Sequence, residues 1–273
     1  NGVCLNPDGS FVVTDQEGHW NPMNRINWVD KKGFYGNMFG YNPPIDSTDQ
    51  GMIQPMLWVD KKMDRSPSEL IWVDSEQWGP FNKSLLNLSY GYGTMYIVPH
   101  EKIKDQMQGG IFKLPVPAFP TGVMRGRFHP EDGQLYACGM SAWATQQTTR
   151  PGGFYRVRYT GKPTIAPIKI NVKTEGISIE FSNELDPTSA ENTSNYTVST
   201  WSLKRTRNYG SAHYDEKTLS VTKTQLSEDG KTVMLTLPTI EEVWQMEIKF
   251  ELKLKNGAIE KGVIQNTIHN LSS

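Results

Sequence analysis

A strand–turn–strand pattern at residues 122–139 constrains the fold of this chain most strongly. Arg125 and Arg127 occupy alternate positions of a strand-like run, so their side chains point to the same face. Pro130–Gly133 then combines a proline with a fixed φ and a glycine that accepts positive φ, which is typical of a tight turn. Residues 134–138 follow as the returning strand. The pattern predicts a β-hairpin with two guanidinium groups on one side.

The same pattern opens the chain at residues 1–15, around the turn Pro7-Asp8-Gly9. Further short strand-like runs follow, separated by Gly, Pro, Asn or Asp. Recurring hairpins are typical of a β-propeller, in which each blade takes about 40 to 50 residues. Residues 1–163 would therefore hold about three or four blades. We predict the C-terminal portion of a propeller, whose missing N-terminal blades belong to the same or another chain.

The pattern of apolar and polar residues changes after a linker at residues 160–164. The runs at 176–181 and 246–254 alternate between apolar and polar residues, and Asn256-Gly257 is a strong hairpin signal. About 110 residues of such strands predict an immunoglobulin-like sandwich. The expected fold is all-β, with a partial propeller at residues 1–163 and a sandwich at 164–273.

Charge and hydropathy exclude several classes of partner. The 28 Lys and Arg residues oppose 29 Asp and Glu residues, and no basic run is interleaved with aromatic residues, so nucleic-acid binding is not expected. No apolar run is long enough to span a membrane. Cys4 and Cys138 have neither metal nor haem-attachment spacing, and we favour two buried thiols over a disulfide.

A set of short motifs carries a resemblance to a known family. In residues 1–160 the motifs are Asn1-Gly2-Val3 with Pro7-Asp8-Gly9, Asp15-Gln16-Glu17-Gly18, Arg25-Ile26-Asn27 with Gly33-Phe34-Tyr35-Gly36, and Arg125-Gly126-Arg127 before Pro130–Gly133. By these motifs, residues 1–160 resemble the C-terminal half of soluble glucose/sorbosone dehydrogenase-like propellers, whose characterised members bind pyrroloquinoline quinone and calcium. With the trailing sandwich, which contains Phe181–Asp186 and Asn266–His269, the chain is similar to the tail of large secreted bacterial proteins, some of which carry haem domains.

This resemblance implies a cofactor site. Arg125 and Arg127 would bind the carboxylates of the quinone, for which a bidentate guanidinium is the preferred partner. Trp58 would lie near the cofactor, and Tyr90 falls where the family has a lysine that contacts the quinone. Calcium prefers oxygen ligands and would be held by the loop with Asp15, Glu17 and the backbone of Gly18.

The departures from the family bear on activity. The family's catalytic histidine belongs to blades outside this sequence, so hydride abstraction has no general base and the chain alone is expected to be inactive. One hypothesis is the cofactor-binding tail of a periplasmic or extracellular sugar or alcohol dehydrogenase, passing electrons to a cytochrome c or haem domain. The alternative is a non-catalytic module that binds glycans or protein partners, which Tyr90 favours.

Each candidate also has an ordinary structural interpretation. Arg125 and Arg127 could form salt bridges, Asp15 and Glu17 could simply face water, and His19 could be an exposed loop residue. The remaining histidines, at positions 100, 129, 213 and 269, show no pairing or metal spacing. Carbohydrate could stack on Trp143 or on a face of the second half, which could equally be a solvated loop. The residues of that face are Trp201, Lys204, Arg205, Arg207, Tyr209 and Tyr214.

Overall fold

A computed structural model describes residues 1–36, 48–141 and 149–273. Its regular structure is almost entirely antiparallel β, as predicted, with a single four-residue α-helix, α1 (Pro187–Ala190), in the described residues. None of these described residues forms a helix long and apolar enough to cross a bilayer. The strands are β1 Gly2–Leu5, β2 Phe11–Asp15, β3 Asn24–Val29, β4 Leu57–Val59, β5 Pro67–Trp72, β6 Leu85–Ser89, β7 Thr94–Ile97, β8 His100–Ile103, β9 Gln106–Lys113, β10 Arg125–Phe128, β11 Leu135–Met140, β12 Gly152–Val157, β13 Pro167–Lys173, β14 Gly176–Phe181, β15 Tyr196–Ser202, β16 Tyr214–Leu219, β17 Lys223–Leu226, β18 Thr232–Thr236, β19 Val243–Lys253 and β20 Ile259–Ile268.

The strands form four sheets, and no closed barrel is present among the described strands. Two sheets are simple meanders, β1-β2-β3-β4 and β10-β11-β12. A third sheet has the order β13-β14-β18-β17. The largest has the order β16-β15-β19-β20-β9-β7-β6-β5, with β8 paired to β9.

The predicted hairpins are confirmed. Each is formed around a turn whose residues favour the required backbone dihedrals. β1 pairs with β2 and β10 pairs with β11, both antiparallel. Gly9 has φ 87° and Gly133 has φ 63°, conformations that glycine reaches without a Cβ clash. Asp8 closes the first turn, because its Oδ1 accepts a 2.9 Å hydrogen bond from the Ser10 N–H. The Asn256-Gly257 hairpin joins β19 to β20 in the same way.

The largest sheet runs across the two halves of the chain. Ile264 of β20 lies opposite Phe112 of β9, and Asn266 lies opposite Gly110. Gly110 leaves room for the second half, since a Cβ there would lie 2.7 Å from Ile170 Cδ1. The main hydrophobic cluster likewise contains buried residues from both halves. The boundary at residue 163 stays a prediction, and strands on its two sides share one sheet.

Candidate binding cleft

A polar cleft of about 380 Å³ lies where segments of both halves meet. Its walls come from the β2–β3 loop, the β4–β5 connection, the turn after β6 and the loop between β15 and β16. Polar, charged and tyrosine side chains line it: Gln16, Glu17, Asn24, Lys61, Lys62, Arg65, Ser66, Tyr92 and Tyr209. Such a lining offers hydrogen-bond donors and acceptors at close range.

A buried aspartate anchors Asn24, one of the residues that line this cleft. Asp64 is fully buried, and its carboxylate accepts hydrogen bonds from Asn87 Nδ2 at 2.7 Å and Ser89 Oγ at 2.5 Å. Burial raises the pKa of Asp64 to about 7, and those hydrogen bonds partly oppose the rise. Its backbone carbonyl accepts a 2.8 Å hydrogen bond from Asn24 Nδ2. Asp64 thereby ties the start of β3 to β6.

Glu17 carries the main unsatisfied group of the cleft. Its N–H donates to Asn24 Oδ1 at 3.1 Å, which fixes the backbone. Its Oε2 is buried with no hydrogen-bond partner among the described residues. Burial raises the pKa of Glu17, while the positive charges of Lys61 and Arg65 oppose that rise. A buried acceptor left without a donor is unusual in proteins and calls for a physical explanation.

The loop between β15 and β16 forms one wall because it docks on the first half. The Trp20 N–H donates to Thr206 O at 2.8 Å, and the Gly210 N–H donates to Gly18 O at 3.0 Å. Arg205 is 6% exposed, and its guanidinium donates to the carbonyls of Trp20, Thr48 and Gly36 at 3.0, 2.8 and 3.2 Å. These contacts fix the loop against the β2–β3 loop.

A histidine–aspartate contact fixes the far end of the same loop. His213 Nε2 lies 2.6 Å from Asp60 Oδ2, and the imidazole stacks on Trp201 with ring centroids 4.3 Å apart. Sequence reasoning found no partner for His213, because Asp60 lies 153 residues away along the chain. His100 and His269 are also structural, since their ring nitrogens contact the carbonyls of Val98 and Pro55.

The glycan-binding face expected on the second half is therefore only partly exposed. Trp201 and Arg205 are buried, 3% and 6% exposed, because they pack against the first half. Lys204 Nζ lies 3.9 Å from the centroid of the Tyr214 ring. Tyr209 is 64% exposed and lines the cleft. The interpretation of this segment as a solvated loop was also wrong for its buried members. Trp143, the other stacking candidate, lies outside the described residues.

A larger groove of about 1090 Å³ adjoins the cleft and shares Lys62 and Tyr92 with it. It runs over β9, β20 and β19, and along the second half of β19 exposed residues alternate with buried ones. Its charges are largely paired, for example Lys249 with Glu247 at 2.8 Å and Lys261 with Glu251 at 2.9 Å. The groove therefore carries little net charge.

The paired arginines of the sequence analysis do share a face, away from this cleft. Arg127 Nη1 lies 2.8 Å from Glu69 Oε2, and Arg125 Nε lies 4.0 Å from Glu69 Oε1. The Glu69 carboxylate is buried and also accepts a 2.8 Å hydrogen bond from the Gly126 N–H. The arginine side chains stay 50% and 75% exposed, so one buried carboxylate is shared by two guanidinium groups that face solvent.

Trp58 and Tyr90 do not join the arginines in one pocket. Trp58 is 0% exposed and packs beside Trp244, with ring centroids 5.4 Å apart. Its position in β4 puts it in a different sheet from Arg125 and Arg127. Tyr90 is partly buried in the turn after β6, where its backbone approaches Gly122. A planar ligand on the arginines would not reach Trp58 without repacking of the core.

In the loop expected to hold calcium, the oxygens of Asp15 and Gly18 are engaged elsewhere, whereas Glu17 Oε2 has no hydrogen-bond partner among the described residues. Asp15 Oδ2 lies 2.6 Å from Nη2 of the buried Arg25, and its Oδ1 accepts from the Gln16 N–H. The Gly18 carbonyl accepts from the N–H groups of Asn21 and Gly210. No group of three or more His, Cys, Asp or Glu residues in the described ranges is arranged to hold a metal ion. Calcium binding stays a prediction that this arrangement does not favour.

The two cysteines are free thiols, as expected, but only Cys4 is partly buried. Cys138 is exposed, so the prediction of two buried thiols was wrong for it. Cys138 is exposed because it is paired with Arg125 on β10 and with Phe154 on β12, and all three side chains lie on the outer face of that sheet.

The cleft itself was not predicted from the sequence. Of its lining residues, Glu17 was singled out for calcium and Tyr209 for a glycan-binding face. The charged run from Asp60 to Arg65 between two strand signals was the available indication of Lys61, Lys62 and Arg65. Searches of protein-family models, of curated proteins and of solved structures found no match to this chain.

Proposed function

We propose that this chain is a non-catalytic module that binds carbohydrate in the cleft around Glu17. The observation that carries the proposal is the Glu17 carboxylate, whose Oε2 has no donor among the described residues although Lys61 and Arg65 lie near it. A sugar supplies several hydroxyl groups, each of which donates one hydrogen bond. A small rearrangement of the carboxylate would let a hydroxyl satisfy it.

The remaining lining suits a sugar ring. The exposed Lys61 and Lys62 supply hydrogen-bond donors, and the 64% exposed ring of Tyr209 offers an apolar surface with a polar hydroxyl at its tip. The adjoining groove would continue the site along an oligosaccharide. Its paired charges favour neutral over strongly charged chains.

The experiment is a glycan-array screen followed by calorimetric titration of the best oligosaccharide. Glu17→Gln should weaken binding by about 1.5 to 3 kcal/mol, the range for a hydrogen bond to a charged group. Glu228→Gln, an exposed glutamate in the β17–β18 turn, is the matched control and should bind like the wild type. Equal affinity of the Glu17→Gln variant would refute the role of the cleft.

A quinoprotein role is a second proposal, supported by the exposure of Arg125 and Arg127. Their guanidinium groups keep donors toward solvent that quinone carboxylates would accept. The test is titration of pyrroloquinoline quinone with the wild type and with Arg127→Ala. Unchanged affinity in the variant would remove this support. The cytochrome partner, calcium and a location outside the cytoplasm belong to the same proposal.

We also keep the finer description of the fold as a proposal. The meander β1-β2-β3-β4 supports propeller-like blades in residues 1–163. In residues 164–273, Ile179 and Val233 of one sheet share a core with Ile248 and Val198 of another, which supports a sandwich. A solved structure of a longer chain would test both.

A further inference from the structure

The outer side of the β10-β11-β12 sheet carries two cross-strand rows of side chains. One row is Arg125, Cys138 and Phe154, and the other is Arg127, Tyr136 and Arg156. Directly paired residues point to the same side of a sheet, so these side chains share one surface. We call the surface formed by Arg125, Arg127, Tyr136, Phe154 and Arg156 the arginine–aromatic face.

This face exposes aromatic surface among the described residues. Phe154 is 72% exposed, although it lies in the middle of a strand. Its ring stacks on Tyr136 with centroids 5.8 Å apart and an interplanar angle of 26°. The stacked pair is held in place before any partner arrives, so its burial would cost little side-chain entropy.

The face also has a surplus of positive charge. Three arginines lie on it, and the buried Glu69 carboxylate is shared by Arg125 and Arg127. Asp132 lies at the border, where its Oδ2 accepts a 2.7 Å hydrogen bond from the Tyr136 hydroxyl. Three cations against two carboxylates leave the face net positive, and Arg156 is exposed.

Among the described strands, the sheet has an open edge beside this face. β12 is the last strand in the order β10-β11-β12, and no other described strand pairs with it. A strand at a sheet edge presents unpaired N–H and C=O groups along its free side. These groups are the template on which an extended peptide adds a further strand.

We propose that the arginine–aromatic face and the β12 edge together dock an extended acidic segment of a partner protein. The segment adds a strand to β12, with an apolar residue against Phe154 and a carboxylate against Arg156. Arg125 and Arg127 lie two strands further, roughly 10 Å from β12. That is about one Debye length at 0.1 M salt, so they steer the approach of the segment. An acidic polysaccharide would pair with the arginines, but it has no peptide backbone with which to extend the sheet at β12.

The probe is a fluorescein-labelled peptide of eight residues that alternates Glu and Val, compared with a Lys/Val peptide. We expect the full chain to bind only the acidic peptide in fluorescence anisotropy, with affinity falling as salt rises. Phe154→Ala and Arg156→Glu should each weaken binding at least about tenfold. The Arg125→Ala/Arg127→Ala variant should instead slow association several-fold. Arg207→Ala, an exposed arginine elsewhere, should change nothing.

Hydrogen exchange tests the strand addition itself. The peptide should protect amides of residues 152–157, and charge reversal at Arg156 should shift preference toward the Lys/Val peptide. Absence of protection with bound peptide, or equal binding of both peptides, would overturn the proposal. Self-association of the chain through this face in sedimentation, or binding of a soluble acidic polysaccharide in place of the peptide, would also overturn it. These outcomes are independent of the Glu17 cleft.

Discussion

Asp64 is buried and forms no recorded ion pair with the described residues, so the stability of the fold should depend on its ionisation. Its pKa is about 7 in the folded chain, against an ordinary value of 3.8. Between about pH 4 and 7 the folded state therefore keeps a proton that the unfolded state releases. The free energy of unfolding should fall as pH rises through this window, by an amount on the order of 4 kcal/mol, and level off above pH 7.

Asp64→Asn tests this directly, because asparagine is a neutral analogue of the protonated carboxyl group. Denaturant unfolding of the variant from pH 4 to 8 should show a weaker pH dependence than that of the wild type. Asp105→Asn, at an exposed turn, serves as control and should keep the wild-type slope. A variant with the wild-type pH profile would show that Asp64 is ionised throughout.

At the scale of elements, the loop between β15 and β16 is held as a wall of the cleft by Arg205. Arg205→Ala would leave the carbonyls of Trp20, Gly36 and Thr48 without this donor. Because these buried carbonyl groups would lose a charged donor, we expect the free energy of unfolding to fall by about 3 kcal/mol. Hydrogen exchange at the amides of Trp20 and Gly210 should accelerate, since both bond across this interface.

The matched control for that change is Arg207→Ala, on the same loop but exposed. Its exchange rates at Trp20 and Gly210 should equal those of the wild type. Equal acceleration in both variants would mean that Arg205 does not hold the loop. Loosening of the loop should also weaken carbohydrate binding, because Tyr209 belongs to it.

At the scale of the whole molecule, the shared sheet predicts that the two halves unfold together. Ile264 is fully buried on β20, opposite Phe112 of β9. Ile264→Ala should lower the free energy of unfolding by about 2 to 5 kcal/mol. The midpoint of the unfolding transition should fall equally in tryptophan fluorescence and in circular dichroism. Ile259→Ala on the same strand is 63% exposed and should cost less than about 0.5 kcal/mol. Two separate transitions would contradict a common cooperative unit.

The sequence determined the local elements of this protein. Proline, aspartate and glycine fix backbone dihedrals within a few residues, so the hairpins around Gly9, Gly133 and Gly257 and the all-β class were predictable. Strand alternation likewise placed Arg125 and Arg127 on one face. These features depend only on neighbours along the chain.

Which distant residues meet depends on the packing of the folded chain. The Asp60–His213 contact joins residues 153 apart, and Ile264 lies on the same sheet as strands of the first half. The burial of Trp58 and Arg205, the exposure of Cys138 and the cleft around Glu17 follow from such pairings. Periodicity along one strand specifies which side chains share a face, but not which other strand covers that face, because that choice depends on the packing of the whole chain.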